Sequence, residues 1–136
     1  MKFADVTPNL VVPNVERSLA FYRDVLGFTL VTTVPDAAPF AFAWMKRDEV
    51  SVFLNSLEVT REHDAELGAR PIGGSASLFI VIEADAIAGG VDAMFAAIGQ
   101  RARVRMPLTD QFYGMREFSI EDPDGYVITF AQALRK

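Results

Sequence analysis

Apolar and polar positions along this chain fall into two runs of the same kind. Val6 to Val12 reads as a strand stopped at Pro13, and Asn14 behind it can accept a hydrogen bond from a free amide at a helix start. Val15, Leu19, Tyr22 and Leu26 then recur at helical spacing, Glu16 suits the positive end of the dipole, and Gly27 suits a left-handed cap. This predicts a helix over 15–26. Three β-rich stretches follow, 28–34, 40–45 and 50–55, separated by a proline-bounded turn at 35–39 and a charged turn at 46–49. The second half repeats the order with a strand at 78–82, a helix at 87–98 and strands at 101–106, 116–120 and 126–131. Asp122-Pro123-Asp124-Gly125 is a strong turn signal between the last two.

Displacing the first helix by 72 positions lays Val15 on Ile87, Leu19 on Val91, Tyr22 on Met94, Leu26 on Ile98 and Gly27 on Gly99. An internal duplication explains this. The last hairpins need 76 positions, which sets Phe42 on Phe118, Trp44 on Ile120, Val52 on Ile128 and Leu54 on Phe130, and implies a four-residue insertion around Leu108 to Tyr113. Between the halves, Thr60 to Leu67 suits one short helix before Gly68 and the turn at 71–74, a linker or a lid. The expected fold class is α+β, with two βαβββ modules in a single domain spanning 1–136: module one 1–56, linker 57–76, module two 77–136.

A chain of 136 residues has room for one substantial core and no second domain. The absence of cysteine removes disulfides, thiolate zinc sites and a cysteine nucleophile. Eighteen acids against thirteen bases, net −5, oppose nucleic-acid phosphates and mildly favour cationic ligands. No run approaches the roughly 20 apolar residues of a membrane helix, and the first residues lack the regions of a signal peptide. A cytoplasmic protein without nucleic-acid or membrane partners is expected.

Several chemical signals have plain structural readings. Arg101, Arg103 and Arg105 alternate with apolar residues, as one solvated sheet face does, although an anion track has the same pattern. Gly73-Gly74 and Gly89-Gly90 belong to no phosphate-loop motif and read as turn and helix-start glycines. The sole histidine, His63, sits among Arg61, Glu62, Asp64 and Glu66, where a solvated role is expected, and no histidine-based catalytic triad can be assembled on the strands.

The stretch from Asn14 to Phe28 (NVERSLAFYRDVLGF), with Phe112 to Phe118 (FYGMREF) and Asp122-Pro123-Asp124-Gly125-Tyr126, resembles the vicinal oxygen chelate superfamily of glyoxalases, bleomycin-resistance proteins and dioxygenases. The resemblance covers nearly the whole chain. It implies two curved half-barrels enclosing a cavity, with metalloenzyme members using His, Glu or Gln at one inward position on the first and last strand of each half. The family pattern puts these positions at Thr7 and Phe53, and the duplication carries them to Phe79 and Thr129. Phenylalanine offers no lone pair and a threonine hydroxyl is a poor ligand for divalent first-row metals, so neither metal nor cofactor is expected. Neighbours on the same face, Asp5, Asn9, Ser51, Asn55, Ser77, Val81, Val127 and Ala131, add no histidine. Members without the ligands include antibiotic-sequestering proteins, whose first strand carries a run like Pro8-Asn9-Leu10.

The resemblance therefore implies a small-molecule ligand, antibiotic-like or aromatic, bound among Trp44, Phe53, Phe79, Tyr113 and Arg116, and a homodimer. Trp44 would line the cavity with Phe42 or Phe118, unless it simply packs in the core. Arg116 would clamp an anionic group beside the Tyr113 hydroxyl, or form a surface pair with Glu117. The alternative is an enzyme of the superfamily, a lyase, isomerase or dioxygenase, recruiting Asp5, Glu83 or His63. A third class, a structural or partner-binding module, would fill its own interior with Phe53, Phe79 and Trp44.

Overall fold

The computed structural model describes residues 1–83 and 88–134. They form two compact units, Met1–Ile72 and Gly73–Lys136. The first contains β1 (Asn9–Val12), α1 (Val15–Asp24), β2 (Thr29–Val34), β3 (Phe42–Arg47), β4 (Val50–Ser56), α2 (Leu57–His63) and α3 (Ala65–Gly68). The second contains β5 (Ser77–Val81), α4 (Gly90–Ile98), β6 (Arg103–Asp110), β7 (Met115–Glu121) and β8 (Val127–Ala133). Each unit holds one four-stranded sheet, ordered β1-β4-β3-β2 and β5-β8-β7-β6, in which the first strand runs parallel to the last and the remaining pairs are antiparallel. The fold is thus the α+β arrangement that the repeated pattern predicts.

In each unit one sheet face packs against a helix. α1 lies on β2, β3 and β4, burying Val15, Leu19 and Tyr22 against Ala43, Met45, Val52 and Leu54. α4 lies on β6, β7 and β8, burying Val91, Met94 and Ile98 on the sheet side where Phe118, Ile120, Ile128 and Phe130 are enclosed. Phe118 meets Phe95 of the helix and Phe130 of the next strand at ring-centroid distances of 5.1 and 5.2 Å. Removing this apolar area from water is the main favourable term in both units.

The helix ends are tied down by side chains. Asn14 Oδ1 accepts from the Arg17 amide at 2.9 Å, the expected start of α1. Gly27 takes the left-handed conformation, and Arg47 from β3 donates to the Leu26 carbonyl at 2.6 Å. α4 starts on the Gly89-Gly90 pair, where no side chain of the helix caps it; Gln132 of β8 accepts from the Val91 amide at 2.9 Å instead. A Cβ on Gly90, whose φ is +61, would lie 2.3 Å from that Gln132 oxygen.

The structure departs from the sequence reading at several boundaries. β1 begins at Asn9 and not at Val6, because Pro8 has no amide to donate, although its carbonyl still accepts from Phe53 at 2.9 Å. The single helix expected over 60–67 is two helices divided at Asp64, whose carboxylate accepts from the Leu67 amide at 3.0 Å and caps the second. Ile87, the expected start of the second-half helix, lies outside the described residues.

No single insertion separates the halves. Leu108 to Asp110, where a four-residue insertion was expected, belong to β6. The displacement between matching residues grows in steps instead. It is 70 positions at β1 (Leu10 to Ile80), 72 at the helix (Leu19 to Val91), 74 at β2 (Thr32 to Met106), 75 at β3 (Ala43 to Phe118) and 76 at β4 (Leu54 to Phe130).

The β7–β8 turn depends on Asp122, which is buried and accepts from the amides of Asp124 and Tyr126 at 2.8 and 3.0 Å. Asp122→Ala strands these donors, and urea denaturation should show a loss of about 2 kcal/mol, the scale of hydrogen bonds to a charged group. Gln132→Ala removes the tertiary cap of α4 and should cost about 1 kcal/mol in the same measurement, as helix caps do.

Candidate functional site

Side chains on a strand alternate between faces, so each sheet's second face follows from its register. In the first unit Phe53 lies opposite Trp44 on β3 and Asn9 on β1, while Asn55 lies opposite Phe42 and Val11. Phe42, Trp44 and Phe53 are all half-buried on the face away from α1. Phe53 is packed edge-on against both partners, with ring centroids 5.1 Å from Phe42 and 5.9 Å from Trp44. The Trp44 indole donates to the Ser51 hydroxyl at 3.0 Å, and the Asn55 amide donates to Asn9. An aromatic surface edged by hydroxyl and amide groups results.

The same face of the second unit has a different chemistry. Thr129 lies opposite Ser119 on β7 and Phe79 on β5, and Ala131 lies opposite Glu117 and Val81. Register therefore matches Phe42 with Glu117, Trp44 with Ser119, Phe53 with Thr129 and Asn9 with Phe79. The pairing of Phe42 with Phe118 and Trp44 with Ile120 expected from a uniform displacement is wrong by one residue. The chain between the ladders at Arg47/Val50 is two residues, Asp48 and Glu49, whereas Asp122 to Tyr126 separates Glu121 from Val127. An odd change in register exchanges the faces of a strand. Phe118 accordingly lies beneath α4 and cannot share a surface with Trp44's counterpart.

The position matching Thr7 needs the same correction. Phe79 answers to Asn9, so the residue two places earlier, Ser77, answers to Thr7. Register thus pairs Thr7 with Ser77 and Phe53 with Thr129, and the Thr129 hydroxyl is 2.7 Å from Ser119 Oγ. Among the described residues no group of three or more His, Asp or Glu side chains could hold a metal ion. Asp5 is exposed ahead of β1, Glu83 is exposed beyond the end of β5, and His63 is exposed at the end of α2.

Arg116 and Glu117, adjacent in sequence, point to opposite faces, so the surface pair between them does not form. Arg116 lies on the α4 side, where Nε is 2.6 Å from Asp110 and Nη1 is 3.2 Å from Asp92 of the helix. Its fork is filled by two aspartates, and its hydrogen bond holds the Asp110 carboxyl below the usual carboxylate range. The expected anion clamp is therefore already engaged within the protein. Tyr113 does reach the other face, donating to Glu117 Oε2 at 2.5 Å. That bond, with some burial, raises the phenol above its ordinary value.

Of the sequence-expected residues, Trp44 and Phe53 meet on one face in the first unit, and Phe79 and Tyr113 belong to the equivalent face in the second. Glu117 is the residue that was missed as part of this face. Its signal lies in strand alternation, since it is two positions from Ser119, but its arginine neighbour suggests a surface pair.

A family model described as the Glyoxalase/Bleomycin resistance protein/Dioxygenase superfamily matches residues 3–130. Bleomycin resistance proteins of Geobacillus stearothermophilus and Staphylococcus aureus are each 31% identical over 137 residues, covering 94% of this chain and 96% of theirs. The crystal structure of a bleomycin-binding protein from Streptomyces verticillus, complexed with copper(II)-bleomycin, has the same fold, with a TM-score of 0.64 and 18% identity over 100% of this chain and 99% of that one. Among the described residues no helix is long and apolar enough to cross a membrane. The chain belongs to the glyoxalase/bleomycin resistance/dioxygenase superfamily.

Proposed function

We propose that this protein binds a small organic molecule of the antibiotic-like kind named by its bleomycin resistance relatives, without a protein-bound metal and without converting the ligand. The observation that carries this is the aromatic face of the first unit. Phe42, Trp44 and Phe53 are neither sealed in the core nor dispersed over the surface, and they offer ring faces and edges to an apolar or aromatic ligand. Phe79 and Tyr113, on the matching face of the second unit, are that unit's own candidates for ligand contact.

The donor set supports metal independence. Two hydroxyls on Thr7 and Ser77, a phenylalanine at 53 and a threonine whose hydroxyl is shared with Ser119 do not make a site for a divalent first-row ion. No catalytic step is therefore derived through a metal. Nor do Asp5, Glu83 and His63 belong to an assembled acid–base or ligand set among the described residues.

Titration calorimetry with metal-free bleomycin tests the reading. Phe53→Ala and Trp44→Ala should each weaken binding at least about tenfold, the scale of losing one buried aromatic contact, with circular dichroism showing retained structure. Wild-type affinity in both folded variants, or no binding to the wild type, would overturn it. The proposed working form is a homodimer; light scattering at micromolar concentration should give twice the chain mass, and a monomer alone would contradict this.

A further inference from the structure

Glu117 is 3% exposed, yet its only partner among the described residues is the Tyr113 hydroxyl. A carboxylate this enclosed is ordinarily matched by a cation or by several donors. The adjacent arginine cannot serve, because it faces the other side of β7 and is held by Asp92 and Asp110. No other cation pairs with Glu117 among the described residues.

The surroundings of this carboxylate are also unusual. Two neighbouring rows cross the open face of the second sheet: Glu117, Ala131 and Val81 in one, and Ser119, Thr129 and Phe79 in the next. The β5 ends of these rows are apolar and uncovered, with Phe79 at 54% and Val81 at 60% exposure. The β7 ends are polar and enclosed. Tyr113, itself 51% exposed, donates to the carboxylate from the turn and holds it in place.

We infer that Glu117 is the specificity-determining residue of a binding face on the second sheet, and that it selects ligands carrying a cationic nitrogen. An ammonium or guanidinium would take up the hydrogen-bonding capacity that Tyr113 leaves on the carboxylate, in a charge-assisted bond. The strand spacing sets the rest of the ligand. Two strand spacings separate Val81 and Phe79 from Glu117 and Ser119, so an apolar or aromatic end should lie roughly 10 Å from the nitrogen. The chain's net charge of −5 attracts such cations. This inference rests on the binding function proposed above and adds the ligand's charge and length.

The test uses two probes of equal size, 4-phenylbutylamine and 4-phenylbutan-1-ol, titrated into the isotope-labelled full chain and followed by amide chemical shifts. The amine should bind at least roughly tenfold more tightly than the alcohol, as expected for a charged hydrogen bond, and should shift Glu117, Ser119 and Thr129. Glu117→Gln keeps an acceptor for Tyr113 but removes the charge, and should abolish the preference. Circular dichroism showing retained structure in Glu117→Gln separates loss of recognition from loss of fold. Equal binding of both probes on this face would overturn the charge selection while leaving the binding function standing. Binding of neither probe to this face would overturn the inference, while the binding function would still stand or fall on the bleomycin titration, and an amine preference that survives Glu117→Gln would place recognition elsewhere.

Discussion

Alternation along a β-strand is the constraint on which the rest of this molecule depends. A strand has two faces and no third, so one sheet face must be given to the helix and the other remains available for chemistry. In the first unit this leaves Phe42, Trp44 and Phe53 on the available face. In the second it leaves Glu117, Ser119 and Thr129 at the matching positions. A duplicated fold has thus kept its helix-facing cores alike while its open faces differ, one aromatic and one polar. Gradual changes in loop length preserve each helix–sheet contact because the buried residues move together with their own ladders.

Much of the fold was legible because its signals are local. Asn14, the helical spacing from Val15 to Leu26 and the turn residues at Asp122 to Gly125 each act within a few positions, and the structure uses them as the sequence suggests. Matching the two helices was equally legible, since Leu19 and Val91, Tyr22 and Met94, and Leu26 and Ile98 are all buried. The boundaries that failed depended on competition between elements: Pro8 interrupts a ladder whose partner strand is distant in sequence, and Asp64 caps a new helix where a continuous one was expected.

The candidate site was less legible for a physical reason. Phe42-Ala43-Trp44-Met45 is apolar on both faces of its strand, so hydrophobicity alone cannot say which residues meet the helix. Matching Phe42 to Phe118 satisfies composition but violates the register by one residue. Arg116 and Glu117 mislead in the opposite direction, since neighbours of opposite charge suggest a pair that a strand's geometry forbids. Their true partners, Asp92, Asp110 and Tyr113, come from a helix, another strand and a turn.

The central claim is that the open aromatic face receives the ligand, and Trp44 is the only tryptophan in the chain. Its indole therefore reports on that face without labelling. Titrating metal-free bleomycin while recording tryptophan emission should give a saturable change in intensity and wavelength, as water is displaced from the ring. Emission that stays constant through a range in which calorimetry detects binding would put the ligand elsewhere and contradict the account.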